Sequence, residues 1–276
     1  MDYIEFDFTI TPKEPGSEIL AAVLADAGFE SFVETDIGLL AYIAYPKFSV
    51  EIVEKLDIMQ NKEFDIQYHF KSIPDKNWNE EWERNYNPVI IAGNCCVRAP
   101  FHQKNETCKY DIIIEPKMSF GTAHHETTSL MIEQIMLLEV KGKSVLDLGC
   151  GTAVLAILAS KMDAASITAI DNDEWAYNNS VENVDRNNIG NIEVIKGDAG
   201  SIKNIYDFIF ANINRNILLN DISLYSAHLK KSGIILLSGF YEADMPVIID
   251  KAEANDLMFS DAVMNNKWMV LKMIKK

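Results

Sequence analysis

From about residue 91 onward, short apolar runs alternate with segments of helical length. KSVLDLGC, SITAIDN, IEVIKGD, YDFIFANI and GIILLSGF read as strands, and helices are expected over 128–139, 153–161, 174–187, 215–230 and 243–256. Strands that are apolar on nearly every position must be covered on both faces, and helical crossovers between them make them parallel. The pattern predicts an open, mostly parallel sheet between two helical layers. FSDAVMNN and KWMVLKMI close the chain with no helix between them, which predicts a hairpin and hence one antiparallel strand. VIIAGNCCVRAP and YDIIIEP read as preliminary strands ahead of this sheet.

Residues 1–75 follow a different order. YIEFDFTI alternates apolar and polar residues, as a half-buried strand does. PGSEILAAVLADAGF reads as a helix, with Ser17 near its start and Gly28 at its end. SFVETD and LLAYIAY are two short strands around the turn residues Asp36 and Gly38, FSVEIVEKLDIM a second helix, and FDIQYHFKSI a last strand. The order β-α-β-β-α-β is that of the ferredoxin-like split motif, a scaffold that hosts many functions and names none. Residues 76–90, KNWNEEWERNYNPVI, read as a linker helix whose Trp78, Trp82 and Tyr86 share one face and pack it onto a neighbouring domain. The expected division is a small α+β domain (1–75), this linker (76–90) and an α/β domain (91–276).

Charge separates the two ends further. The chain carries −16 overall, and residues 1–75 hold 15 acidic side chains against 5 lysines. An acidic front end disfavours the phosphate backbone of nucleic acid and suits a basic partner. No apolar run reaches spanning length, and MDYIEFDFTI lacks the features of a secretory signal, so neither a membrane span nor a leader is expected. Cys95, Cys96, Cys108 and Cys150 show no CxxC spacing, which fits a reducing cytoplasm. A monomer is expected.

VLDLGCGTAVLAI carries the clearest chemistry. An apolar strand ends in Asp147, and Gly149 and Gly151 form a tight turn into a helix, where a ligand can approach the backbone. A dinucleotide fingerprint would place a third glycine at the position of Val154. The form D-x-G-x-G instead resembles the first motif of class I S-adenosylmethionine-dependent methyltransferases. That cofactor has no pyrophosphate but a cationic methionine end, which Asp147 would serve through backbone and water contacts. Asp171 closes the next strand, where a carboxylate accepts both ribose hydroxyls. Asp198, in GDA at the end of the third strand, is placed to bond the adenine amino group. Asn212 ends the fourth strand in FIFANINR. Amine and amide methyltransferases often carry an acidic or amide residue there, commonly within NPPY, and the absence of Pro and Tyr argues against the nucleobase and glutamine enzymes.

SFGTAHHETT, residues 119–128, precedes the first helix of this domain. Together with DLGCGTA and FANINR in that order, it resembles the ribosomal protein methyltransferases of the PrmA type. These combine a small substrate-recognition domain, a linker and a class I domain, and carry an FGTG-x-H-x-TT loop. The resemblance spans essentially the whole chain. It implies a loop over the cofactor containing Phe120, Gly121 and Thr122, and cofactor contacts from Thr128, Gly149, Asp171 and Asn212, beside those read above for Asp147, Gly151 and Asp198. It also implies methylation of the N-terminal and lysine amines of large-subunit ribosomal protein eleven, with Asn212 holding the amine. Thr127 or Thr128 is further placed to cap the following helix. Ala123 and His124 stand where the family usually has Gly and Thr, and Ala takes a positive φ less cheaply, so a different loop path is expected.

Other readings carry less. Adjacent His124 and His125 on an extended segment face opposite ways, without the spacing of a metal site. No G-x-S-x-G elbow suggests a hydrolase. A methyltransferase for another protein lysine or amine, and a non-catalytic cofactor-binding relative, remain as alternative functions.

Overall fold

The computed structural model describes residues 2–73, 86–117 and 121–276. Residues 76–85 of the expected linker helix, with Trp78 and Trp82, lie outside them, as does Phe120, and the described remainder, 86–90, is not helical. The chain divides into two compact units, Met1–Asn85 and Tyr86–Lys276.

In the first unit, β1 (Tyr3–Thr11) pairs antiparallel with both β3 (Gly38–Ala44) and β4 (Asp65–Ile73), and β2 (Ser31–Glu34) lines up outside β3. Thus β1 and β2 run the same way with β3 inserted between them, a split β-α-β unit. The alternation in β1 buries Ile4, Phe6, Phe8 and Ile10 with Leu20 and Leu24 of α1 (Lys13–Asp26). The other face of β1 carries Glu5 and Asp7, paired with Lys71 and His69 of β4. α1 ends where Gly28 takes a φ of 99° and the Phe29 N–H returns to the Leu24 carbonyl at 3.0 Å. The second helix is shorter than its sequence suggests. α2 (Val50–Glu54) stops, and a 3₁₀ turn follows at Asp57–Gln60. Val53 and Ile58 are both core residues, and five positions on a continuous helix would set them about 140° apart. The break lets both face the sheet.

In the second unit, VIIAGNCCVRAP is not one strand but a hairpin of β5 (Val89–Ile91) and β6 (Cys95–Arg98). Ala92 and Gly93 both take positive φ in the three-residue loop, 92–94, that joins β5 to β6, and the Asn94 N–H closes the turn on the Ile91 carbonyl at 3.0 Å. β7 (Tyr110–Ile113) joins β6 in a separate three-stranded sheet.

The large sheet has the order β10-β9-β8-β11-β12-β14-β13. β8 (Ser144–Leu148), β9 (Ser166–Asp171), β10 (Ile192–Lys196), β11 (Tyr206–Asn212) and β12 (Leu229–Tyr241) are parallel. β14 (Trp268–Lys275) runs against β12 and against β13 (Leu257–Asn265), so the expected antiparallel strand is β14. Alternate residues serve opposite faces. Val145 and Phe210 join the core containing α3 (Glu126–Met136) and α4 (Val154–Lys161). Leu146 and Ile209 join the core of α6 (Arg215–Ala227) and α7 (Met245–Glu253). α5 (Glu174–Arg186) follows β9. α6 ends three residues before the expected 230, because Leu229 is buried and pairs with Tyr206 to begin β12.

Candidate active site

β8 and β11 are neighbours, yet β8 leads on to β9 and β11 to β12 on the other side. A crevice forms at the carboxyl ends of the strands where the order reverses. A cavity of about 930 Å³ occupies it, bounded by residues that include His125, Thr127, Gly149, Gly151, Asp171, Trp175, Asn212 and Trp268.

The turn after β8 is left-handed at Gly149 (φ 61°), Gly151 (56°) and Ala153 (62°). A Cβ on Gly149 would sit 2.2 Å from Cγ2 of Ile213, just past β11, so the two strand ends approach as only glycine permits. Asp147 is not on the cavity wall. It is 1% exposed, and its Oδ2 accepts the Ala156 N–H of α4 at 3.1 Å. Burial pushes its carboxyl up to about 7, against the pull of that bond and with a small further push from Asp171. Its visible work is to tie β8 to the helix that leaves the turn.

Asp171 lies on the wall. Oδ2 accepts the Gly151 N–H at 2.9 Å and Oδ1 the Asp173 N–H at 3.0 Å. Each oxygen keeps a further acceptor site, the arrangement that two vicinal hydroxyls need. Asp198 is exposed, with Oδ1 on the Gly200 N–H at 2.9 Å. It borders a smaller pocket of about 90 Å³ that shares Gly149, Asp171, Asn172 and Ile213 with the main cavity. The two make one cleft from β11 to β10.

Asn212 differs from both acids. Its Nδ2 donates to Oγ1 of Thr128 at 3.4 Å, and its Oδ1 is buried without a partner. An unpaired buried carbonyl costs about 1–3 kcal/mol, so a site of this kind is built for an incoming donor.

The loop before α3 is pinned at several points. The Thr152 hydroxyl donates to the Gly121 carbonyl at 2.7 Å, and the Ser129 hydroxyl to the Ala123 carbonyl at 2.7 Å. Ala123 takes a φ of 66° all the same, so the glycine-like conformation is kept at a cost of about 1–2 kcal/mol. The cap of α3 is neither threonine. His125 holds that position, its Nδ1 accepting the Thr127 N–H at 3.3 Å. Thr127 and Thr128 are buried in the first turn, one on the cavity wall and the other against Asn212. The Thr122 hydroxyl turns to His124 at 3.2 Å and is not on the wall.

The structure thus gathers Gly149, Gly151, Asp171 and Asn212 around one cavity, with Thr128 behind Asn212 and Asp198 at its extension. Sequence reasoning missed His125, Trp175 and Trp268. Trp175 is 78% exposed and is the second residue of α5, four residues after Asp171, a position that strand-end logic could have flagged. Trp268 packs against Tyr241 (ring centroids 4.0 Å apart) and edge-on to His125 (4.8 Å). Only the pairing of β14 with β12 brings it here.

A nucleoside with vicinal hydroxyls and an amine-bearing arm fits this donor set: a doubly held carboxylate, a side-chain-free turn and an unpaired oxygen. Residues 17–276 match the family described as ribosomal protein L11 methyltransferase (PrmA). The chain is 44% identical over 279 residues to the ribosomal protein L11 methyltransferase of Bacteroides fragilis, covering 99% of this chain and 100% of the relative. It is 42% identical over 286 residues to that of Porphyromonas gingivalis, covering 99% and 97%. The crystal structure of the ribosomal protein L11 methylase from Lactobacillus delbrueckii subsp. bulgaricus superposes with a TM-score of 0.65 at 27% identity, covering 69% of this chain and all of that one.

Proposed function

This chain belongs to the ribosomal protein L11 methyltransferase (PrmA) family, and on that premise we propose that it is an S-adenosylmethionine-dependent protein N-methyltransferase whose substrates are the α-amine and lysine ε-amines of ribosomal protein L11. The observation that carries the site assignment is the unpaired, buried Oδ1 of Asn212 on the cavity wall. It is an acceptor without a donor, at the carboxyl end of a central strand.

When bound, S-adenosylmethionine would supply a methyl carbon for in-line attack by an uncharged amine: the C–N bond forms as the C–S bond breaks, S-adenosylhomocysteine leaves as a neutral thioether, and the product amine gives its proton to water. Asp171 holds the ribose hydroxyls, its orientation preset by two backbone N–H groups. Gly149 and Gly151 let the ligand reach the backbone of the turn. Asn212 accepts an N–H through Oδ1 and so aims the nitrogen lone pair, while its own orientation is fixed by Thr128. Orientation and exclusion of water are the main tasks in such a displacement. An α-amine costs only about 1 kcal/mol to deprotonate at pH 7, against about 4–5 kcal/mol for a lysine. A strong base is therefore needed less for the N-terminus than for a lysine, whose pKa must first be lowered by desolvation.

The first unit is acidic, which suits a substrate offering cationic amines, supports that unit as the docking surface and disfavours nucleic acid. All four cysteines are free and buried, which supports a reducing compartment, the cytoplasm. Incubation of purified L11 with the enzyme and S-adenosylmethionine, read by mass spectrometry, tests the proposal. Mass increments of one methylene on the N-terminus or lysines are the expected result. Cofactor binding with no change in L11 would move the substrate to another protein, and no cofactor binding would overturn the reading.

A further inference from the structure

Among the described residues, the loop that leads into His125 on the cavity wall is anchored to residues 86–87 through two side chains, Thr122, which hydrogen-bonds Tyr86, and His124. The Nε2 of His124 lies 3.0 Å from the backbone oxygen of Asn87, and its Nδ1 lies 3.2 Å from the Thr122 hydroxyl. A carbonyl only accepts, so Nε2 carries the proton, and in the neutral ring Nδ1 then accepts from Thr122. The imidazole also lies against Tyr86, with ring centroids 4.7 Å apart, and Tyr86 stacks nearly parallel on His102 at 6.1 Å. Residues 86 and 87 are the first two of the second unit. One histidine therefore links the start of that unit to a loop more than thirty positions later.

The loop needs holding. Ala123 sits in a left-handed conformation that strains any residue with a Cβ, and such strain persists only where the surroundings impose it. Two restraints, Thr152 on Gly121 and Ser129 on Ala123, come from the turn after β8 and from α3. The third comes from residues 86–87, where His124 meets the Asn87 carbonyl and Thr122 bonds Tyr86. Directly after His124 in the chain stands His125, which caps α3 and lines the cavity. An exposed histidine with no task would leave its ring in water; this one spends Nε2 on the Asn87 carbonyl and Nδ1 on Thr122 of its own loop.

We propose that His124 is a positioning residue, which ties the cavity-lining loop to residues 86–87 and makes cofactor affinity depend on the conformation of the chain there. The proposal rests on the cofactor reading given above. Its effect is on binding rather than on the transfer step, because His124 touches neither the cavity wall nor Asn212.

The test is calorimetric titration of the full-length protein with S-adenosylhomocysteine, with melting temperatures measured in parallel. His124→Ala is expected to bind roughly fivefold to tenfold more weakly, the effect of losing one or two net hydrogen bonds, with an unchanged melting temperature. In turnover, KM for S-adenosylmethionine should rise while kcat at saturation holds. His124→Gln, whose amide N–H can reach the Asn87 carbonyl, should recover most of the affinity. The proposal is overturned if His124→Ala binds like wild type, if its affinity falls only in step with its melting temperature, or if His124→Gln binds as weakly as His124→Ala. Wild-type protein that fails to bind would overturn the proposed function itself, and the tether with it.

Discussion

Asp171 and Asn212 close neighbouring regions of one sheet edge, and they are finished to different degrees. Asp171 is held on both oxygens by backbone N–H groups of its own turn and of the turn after β8. Asn212 is held on one side only, and its oxygen is buried with nothing to accept. The first is a preorganised holder whose geometry needs no ligand. The second leaves an acceptor open to an incoming donor, and the proposed function puts the reacting amine there. On the proposed reading, cofactor binding falls to β9 and orientation of the amine to β11.

The largest expected effect comes from the limiting case of a held acid, Asp147, which is buried completely and gives the cavity nothing directly. Its folded-state carboxyl titrates near 7 and its unfolded one near 3.8, mainly through desolvation. A raised pKa favours the protonated fold. The contribution is therefore complete below about pH 4 and is lost as pH rises to about 7, a change on the order of 4 kcal/mol. Chemical denaturation at pH 5 and pH 8 should show Asp147→Asn gaining on wild type at the higher pH. An equal difference at both values would mean that the carboxylate is not buried in solution. Next comes Asn212→Ala, expected to lower kcat about 100-fold through loss of orientation, with cofactor affinity nearly intact. Single-turnover rates at saturating cofactor measure it, and an unchanged rate would erase the contrast between the two strand ends. Asp171→Ala should do the reverse. Loss of charge-assisted bonds should weaken S-adenosylhomocysteine binding by roughly tenfold to thirtyfold, while the single-turnover rate at saturation changes little.

Much of this edge was legible beforehand because strand-end logic is local. An apolar run followed by Gly or Asp and a helix puts that residue at the carboxyl end of a parallel strand, and Asp171, Asp198 and Asn212 all lie there. What local logic lacked was direction. Asp147 points beneath its turn to Ala156, and the cap of α3 belongs to His125 rather than a threonine. The hairpin at Ala92 and Gly93 was hidden because Ala-Gly is a poorer turn signal than Asn-Gly, and the break in α2 because helical spacing continues through Leu56.

By itself the sequence determined the layered parallel sheet, the closing hairpin, the order of the split β-α-β unit and which residues stand at the strand ends. Periodicity and punctuation are properties of neighbouring residues, and they suffice for that. Tertiary structure alone decided that Trp268 faces His125, that Asn212 meets Thr128 across 84 positions, and that Asn87 receives His124. Those pairings depend on strand order and on which groups burial leaves unpaired, and neither is written in any single stretch of chain.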